Sequence, residues 1–411
     1  MINQINKWFG LFFIVLLACI LLGMNVFAQG NAEVRFSPVQ FSIGIHGEST
    51  DNRDSAEENV DNNYDLHVKP RLEAVFDWEQ TLLDFDYIPS YRYRDNPSPI
   101  QNEIEWLHKL NIGFNHWLTP RVKMSLGEKF DFTDDPSIES AGSTLRRDSS
   151  YTRNLADAGF NFEISRMSSL DISGRHMIKR YDDDIRAEES DEDSTGGSVI
   201  YLRQVSRTVG LMFVADADTF DYKSEQQGLD RGFSAVFGGV GVKKVFNPSL
   251  NGKVRVGWQS ANYDVDDVDV QNTPYVSLSL DAETAIDTKF LFEATSRIRD
   301  SDVYPFVSQK NMRFKIRYTR DIVKNITLGI AGTYEMGEYD EKDTSPSVPD
   351  SLYVKDRSGE ETTIIFVGDI TYKIVSLDSS IKIYQQYEEV DSDVGISFSR
   401  NATGLALVKN F

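Results

Sequence analysis

Between Tyr64 and Trp78 the chain alternates between apolar and polar side chains. One set reads Tyr64, Leu66, Val68, Pro70, Leu72, Ala74, Phe76, Trp78, and the interleaved set reads Asp65, His67, Lys69, Arg71, Glu73, Val75, Asp77. Successive side chains of a β-strand point to opposite faces, so one face is greasy and the other charged. A helix would instead repeat its apolar residues at steps of three and four. The pattern returns at Leu83, Phe85, Tyr87, Pro89, Tyr91, Tyr93 against Asp84, Asp86, Ile88, Ser90, Arg92, Arg94, and again around Met312 to Tyr318.

The same criterion predicts 18 strands across the chain, at approximately 34–46, 63–78, 81–93, 103–116, 120–132, 151–165, 168–181, 196–204, 208–222, 230–245, 250–263, 273–283, 287–299, 308–320, 324–339, 360–373, 378–390 and 395–411. The connections alternate. Short ones fall near Glu79, Pro120, Met167, Ser206, Pro248, Ile286, Asp321 and Ser376, and long ones follow residues 46, 93, 132, 181, 222, 263, 299 and 339. An even strand count with short and long connections in turn predicts an all-β transmembrane antiparallel up-and-down β-barrel of about 18 strands, 16 being compatible. Its tight turns face the periplasm and its longer loops the exterior. Hydrocarbon tolerates no unpaired backbone, so the sheet has to close. A soluble sandwich or propeller would also alternate, but it would bury its second face. The second face here carries Lys, Arg, Asp and Glu in nearly every strand, which a water-filled lumen can hold and two packed sheets cannot.

The first 28 residues fix the expected compartment. Lys7 precedes an apolar stretch from Trp8 to Met24, and Val26-Phe27-Ala28 stands before Gln29. That is the layout of a secretory signal cut after Ala28, leaving residues 29–411 as the barrel. The stretch is also long enough for an uncleaved anchor. Leu16-Leu17-Ala18-Cys19 has the outline of a lipobox, yet the apolar run continues through Ile20, Leu21 and Leu22. Cys19 is the only cysteine, so no disulfide framework exists. With 43 Lys+Arg against 64 Asp+Glu, the net charge of −21 excludes the basic footprint of a nucleic-acid binder.

Aromatic residues cluster at strand ends. Tyr64, Tyr151, Tyr181, Tyr222, Tyr263 and Tyr339 fall where strands meet long loops, and Trp78, Trp117, Phe246 and Tyr372 fall near short turns. They are expected to form the two interfacial girdles of a membrane barrel. Pro70 and Pro89 lie inside strands and face each other if the turn is centred near 79–80, which predicts a bulge or a thin ladder there.

The segments KPRLEAVFDW (69–78), LDFDYIPSYRYR (83–94) and WLHKLNIGFNHWLTPRVKMSLGEKFDFTDDP (106–136) resemble the family of outer-membrane β-barrel porins of Gram-negative type. Some members of that family accompany exopolysaccharide export. The likeness is best over residues 40–136 and continues as a strand rhythm. It implies outer-membrane location, with lipid, lipopolysaccharide, the barrel assembly machinery and small solutes as partners, and polysaccharide-export components in the alternative. Alternation closing on Phe411 resembles the assembly signal of such barrels, although Lys409 departs from it.

Four loops hold nearly all of the net negative charge. Residues 47–62, 182–193, 264–272 and 340–361 carry net charges of −5, −7, −4 and −4. None has the spacing of a dedicated calcium loop, so a solvated acidic rim is expected, with no metal and no cofactor. On the polar phase of the strands, bases outnumber acids. Lys69, Arg71, Arg92, Arg94, Lys123, Lys129, Arg255, Arg313, Lys315 and Arg317 are the expected channel-lining residues. Fixed cations favour a passing anion. The same groups can equally pair across strands and select nothing.

No catalytic residues are expected. Asp65 and His67 lie at the external end of their strand, whereas Asp84 and Asp86 lie beside the periplasmic turn, about 30 Å away at roughly 3.3 Å per residue. His46, His108, His116 and His176 have no Ser or Cys partner at motif spacing. The expected function is a porin-like channel for passive diffusion of small polar or anionic solutes. The alternative is a barrel component of exopolysaccharide secretion, or a structural or adhesive barrel.

Overall fold

The structure, a computed structural model, describes residues 35–36, 39–53, 62–97, 102–133, 150–182, 187, 191–222, 232–264, 270–284, 287–301, 306, 308–339 and 358–411. The expected signal segment and most of the acidic loop residues lie outside that set. Eighteen strands form one antiparallel sheet. They are β1 (Gln40–Thr50), β2 (Asn63–Trp78), β3 (Thr81–Arg94), β4 (Ile104–Thr119), β5 (Val122–Thr133), β6 (Tyr151–Ser165), β7 (Ser168–Tyr181), β8 (Glu192–Gln204) and β9 (Val209–Tyr222). The second half comprises β10 (Phe233–Asn247), β11 (Leu250–Tyr263), β12 (Gln271–Thr284), β13 (Thr288–Asp300), β14 (Ser308–Val323), β15 (Ile326–Tyr339), β16 (Gly359–Ile374), β17 (Ser379–Ser392) and β18 (Phe398–Asn410).

Each strand pairs with the next, and β18 pairs with β1 from Ala402↔Thr50 to Asn410↔Ser42, which closes the barrel. The first strand begins later than its alternation suggests. Arg35–Phe36 pairs separately with Asp77 and Phe76, one residue out of register with β1, whose ladder starts at Gln40↔Glu73. No helix among the described residues is long and apolar enough to cross a membrane.

On β7 and β9 the outward face is apolar only over the half nearest the short turns, whereas on β2, β3 and β4 exposed apolar residues continue to the external end, at Tyr64, Tyr93 and Ile104. On β9 it reads Leu211, Phe213, Ala215, Ala217 and then Thr219 and Asp221. On β7 it reads Leu170, Ile172, Gly174 and then His176, with Arg180 near the end. About 9–11 tilted residues span the hydrocarbon, and these strands have 14 or more. Their external ends therefore stand above the lipid.

Pro70 and Pro89 meet as their spacing predicts. The β2–β3 ladder runs through Val68↔Tyr91, stops, and resumes at Leu72↔Tyr87 in the same register, so the ladder is thin and has no bulge. Two residues without N–H share one rung, which confines the lost bonds to a single place. The Arg71 guanidinium spans the gap, pairing with Asp86 at 2.8 Å and with Glu73 at 2.6 Å.

Candidate functional site

In the register the ten expected lining residues lie on one phase of their strands, Lys69 and Arg71 facing Gly44 and Ser42. His67 faces Arg92, Asp65 faces Arg94, Asn111 faces Lys129 and Trp117 faces Lys123. Gly241 faces Arg255, and Thr295, Glu293 and Leu291 face Arg313, Lys315 and Arg317. The ten do not form one cluster, because they sit at different heights and in different surroundings.

At the external end the side chains of the inner face are buried. Arg94 and Glu388 are each 1 % exposed and Ser308 is fully buried. Arg92 and Arg94 both pair with Glu105, at 2.9 and 3.1 Å, and Arg53 pairs with Asp65 at 3.0 Å. Glu335 collects Asn311 at 2.7 Å, Arg313 at 3.5 Å and Arg299 at 3.9 Å. Arg400 donates to Glu388. These groups hold one another and fix the mouth. Just outside them, half-buried Asp182 lies near Glu105. Burial first, and then that neighbouring charge, push its carboxyl up from the usual range.

Lower down the inner face opens. Lys129, Asp157 and Arg317 are exposed to the lumen. Lys129 and Arg317 have no carboxylate partner among the described residues. Arg175 pairs with Asp218, and Lys382 with Asp369 at 3.4 Å. Lys123 lies 5.1 Å over Trp117, and the Arg255 guanidinium 5.9 Å over Tyr275. The wall thus mixes cross-strand ion pairs with cations that have no carboxylate partner among the described residues.

The expected aromatic girdle needs correction at its external rim. Of the six tyrosines, Tyr64 alone points outward, and it is 60 % exposed. Tyr151 faces Tyr181 across β6–β7 in phase with Arg153 and Lys179, so both rings point inward. Tyr222, Tyr263 and Tyr339 are likewise on the inner phase and buried. At the short-turn end Phe246 and Tyr372 point outward, whereas Trp117 is inward. Phe411 sits at this end, its ring 5.7 Å from that of Phe41.

The inner wall is also less uniformly polar than alternation alone suggests. Ile200, Leu202, Met212, Val214, Phe237 and Tyr275 pack together on the inside of β8–β12. Their signal is present in VIYL, GLMFV and AVFGGVGV, where apolar residues run on instead of alternating, as in strands apolar on both faces. Glycines make room for them. A Cβ on Gly239 would meet the Phe237 ring at 2.6 Å, one on Gly241 would meet Met212 at 2.7 Å, and Gly257 lies against the same Phe237 ring.

One segment leaves the wall. The β12–β13 ladder runs from Thr284↔Thr288 to Val276↔Ser296 and ends there, although β13 stays paired with β14 up to Asp300↔Ser308. Past Ser296 the tip bends inward. Ile298 is buried against Phe233, Ala235, Ala261 and Tyr263, all on the inner faces of β10 and β11. The Tyr222 hydroxyl donates to the Ser301 carbonyl at 3.3 Å, and Tyr263 and Ser308 share a hydroxyl bond at 2.5 Å. Phe306 closes on Tyr339 and Val394. The β13–β14 tip therefore narrows the external mouth. Pro274 marks the departure, since it sits on the stretch of β12 that has lost its neighbour and needs no donor there.

The family described as Putative beta-barrel porin 2 matches residues 39–411. No curated protein sequence matches the chain. Among solved structures, a BenF-like porin from Pseudomonas fluorescens Pf-5 is similar at 10 % identity, with 91 % of this chain and 99 % of that one covered and a TM-score of 0.48. OccAB4 from Acinetobacter baumannii is similar at 9 % identity over 92 % and 99 % of the two chains, with a TM-score of 0.46. The outer membrane protein opdK from Pseudomonas aeruginosa is similar at 8 % identity over 91 % and 99 %, with a TM-score of 0.47.

Proposed function

The chain belongs to the Putative beta-barrel porin 2 family, and from that premise we propose that the open stretch of its inner wall below the buried mouth selects small anionic or polar solutes for passive diffusion. It is an outer-membrane porin-type barrel. The observation that carries the selectivity is the state of Lys129 and Arg317. Both face the lumen where it is open, and neither is neutralised by a carboxylate among the described residues. Fixed cations at such a level lower the energy of a passing anion. The paired groups higher up, Arg92 and Arg94 with Glu105, instead hold the shape of the mouth.

Polysaccharide secretion is the weaker reading. Sugar export needs exposed rings for stacking. Most of the inner rings, Phe233, Phe237, Tyr275 and Tyr339 among them, are buried against one another and present no platform.

The test is the reversal potential of the full chain in a planar bilayer under a KCl gradient. A chloride-selective reversal is expected, moving toward zero in Lys129→Gln/Arg317→Gln. A cation-selective channel, or one whose selectivity ignores that double substitution, overturns the reading.

A further inference from the structure

Three cations stand together on the inner face near the short-turn end. Lys243 on β10 lies directly opposite Lys253 on β11, and Arg255 follows two residues along the same face. Residues directly opposite in an antiparallel ladder have Cβ atoms about 4.5–5.5 Å apart, and like charges so placed destabilise the pair. The usual remedy is an interleaved carboxylate, and among the described residues none reaches ion-pair distance of any of the three. Asp216 and Asp171 come near enough for their charge to be felt at Lys253, but neither pairs with it.

Two further features point to an absent anion. On β12, Ser277 stands opposite Arg255 and Ser279 opposite Lys253, so two hydroxyls border the cations. Arg255 reaches Ser277 only at 3.5 Å, and its Nε is buried with no hydrogen-bond partner. A buried donor left unmade is costly. The apolar cluster of Met212, Phe237 and Tyr275 adjoins Arg255 and excludes water from one side, which strengthens any charge interaction there.

We propose that Lys243, Lys253 and Arg255, with the hydroxyls of Ser277 and Ser279, form a binding station for a compact oxyanion, a carboxylate or a phosphate, in transit through the lumen. A guanidinium fork beside two ammonium groups matches an oxyanion that presents two or more oxygens. The station deepens the porin reading, since its ligand is the passing solute.

The test is isothermal titration calorimetry of the full chain, folded in detergent, with sodium succinate and with inorganic phosphate against a chloride background. Saturable binding of at least one is expected. It should weaken tenfold or more in Lys253→Gln/Arg255→Gln, with heat-modifiable gel mobility checking the fold of that variant. Succinate binding alone identifies a carboxylate station, and phosphate binding alone a phosphate station. Absence of binding by both, or binding indifferent to the double substitution, overturns the proposal. Bilayer conductance of the same samples separates the two readings. A protein that binds without conducting keeps the station and loses the porin reading, and one that conducts without binding does the reverse.

Discussion

The side-chain amide of Gln259 hydrogen-bonds in both directions with the backbone of Ile298, donating from Nε2 to the carbonyl at 3.1 Å and accepting from the N–H at 2.9 Å. Gln259 is on β11, and Ile298 lies beyond the point where β13 leaves β12. The amide therefore stands in for the rung that the β12 backbone would have supplied. Gln259→Leu would leave a buried N–H and a buried C=O unpaired, at about 1–3 kcal/mol each. The barrel is expected to stay closed, because its other ladders are untouched. The tip should come loose, and single-channel recordings should show a larger or noisier open current than the parent. An identical current trace would mean that the tip does not limit the path.

Much of this was legible in the strand faces. Lys69, Arg71 and Arg317 each lie on one parity of a clean alternation, and the closed sheet leaves that parity one place to face. For the tyrosines, parity overrides position at a strand end. Tyr181 is in step with Lys179 and Arg175, which already puts it inside. The inward tip could not be read the same way, since Gln259 and Ile298 are 39 residues apart and no local pattern links them. Pro274 alone hinted at it, as a residue without a donor in what read as an ordinary strand.

Glu105 ties two arginines at the mouth. Arg92 and Arg94 are 4 % and 1 % exposed, and both point at this carboxylate. Glu105→Gln removes the charge and keeps the size, leaving two buried guanidinium groups underpaired. Removing one partner of a buried pair costs about 3–5 kcal/mol. The variant should unfold at clearly lower temperature in heat-modifiability gels. An unchanged transition would show that other groups at the mouth carry these arginines.

Gly257 tests the close packing of the apolar sector. A side chain there would collide with the Gly238 carbonyl and with the Phe237 ring, and backbone cannot yield as a flexible side chain can. Overpacking of this kind costs about 1–3 kcal/mol. Gly257→Val is expected to lower the unfolding temperature. Phe237→Ala in the same chain should recover part of the loss, because the ring is the one obstacle that is not backbone. Failure of that rescue would assign the whole clash to the backbone.

The height of the hydrocarbon band can be measured on one strand. Ala215 and Thr219 both point outward from β9 and are both exposed, four residues apart. Ala215 has Phe213 below it and Ala217 above it, whereas Thr219 is followed by Asp221. An arginine on the lipid face costs about 2–4 kcal/mol at the bilayer midplane and about 0–1 kcal/mol near the interface. Ala215→Arg should therefore depress the folded fraction in urea titrations in lipid vesicles, while Thr219→Arg should leave it close to the parent. Neither substitution touches the lumen, so conductance of whatever protein folds should be unaltered in both. Equal penalties at the two positions would place Thr219 in hydrocarbon and move the membrane toward the external loops.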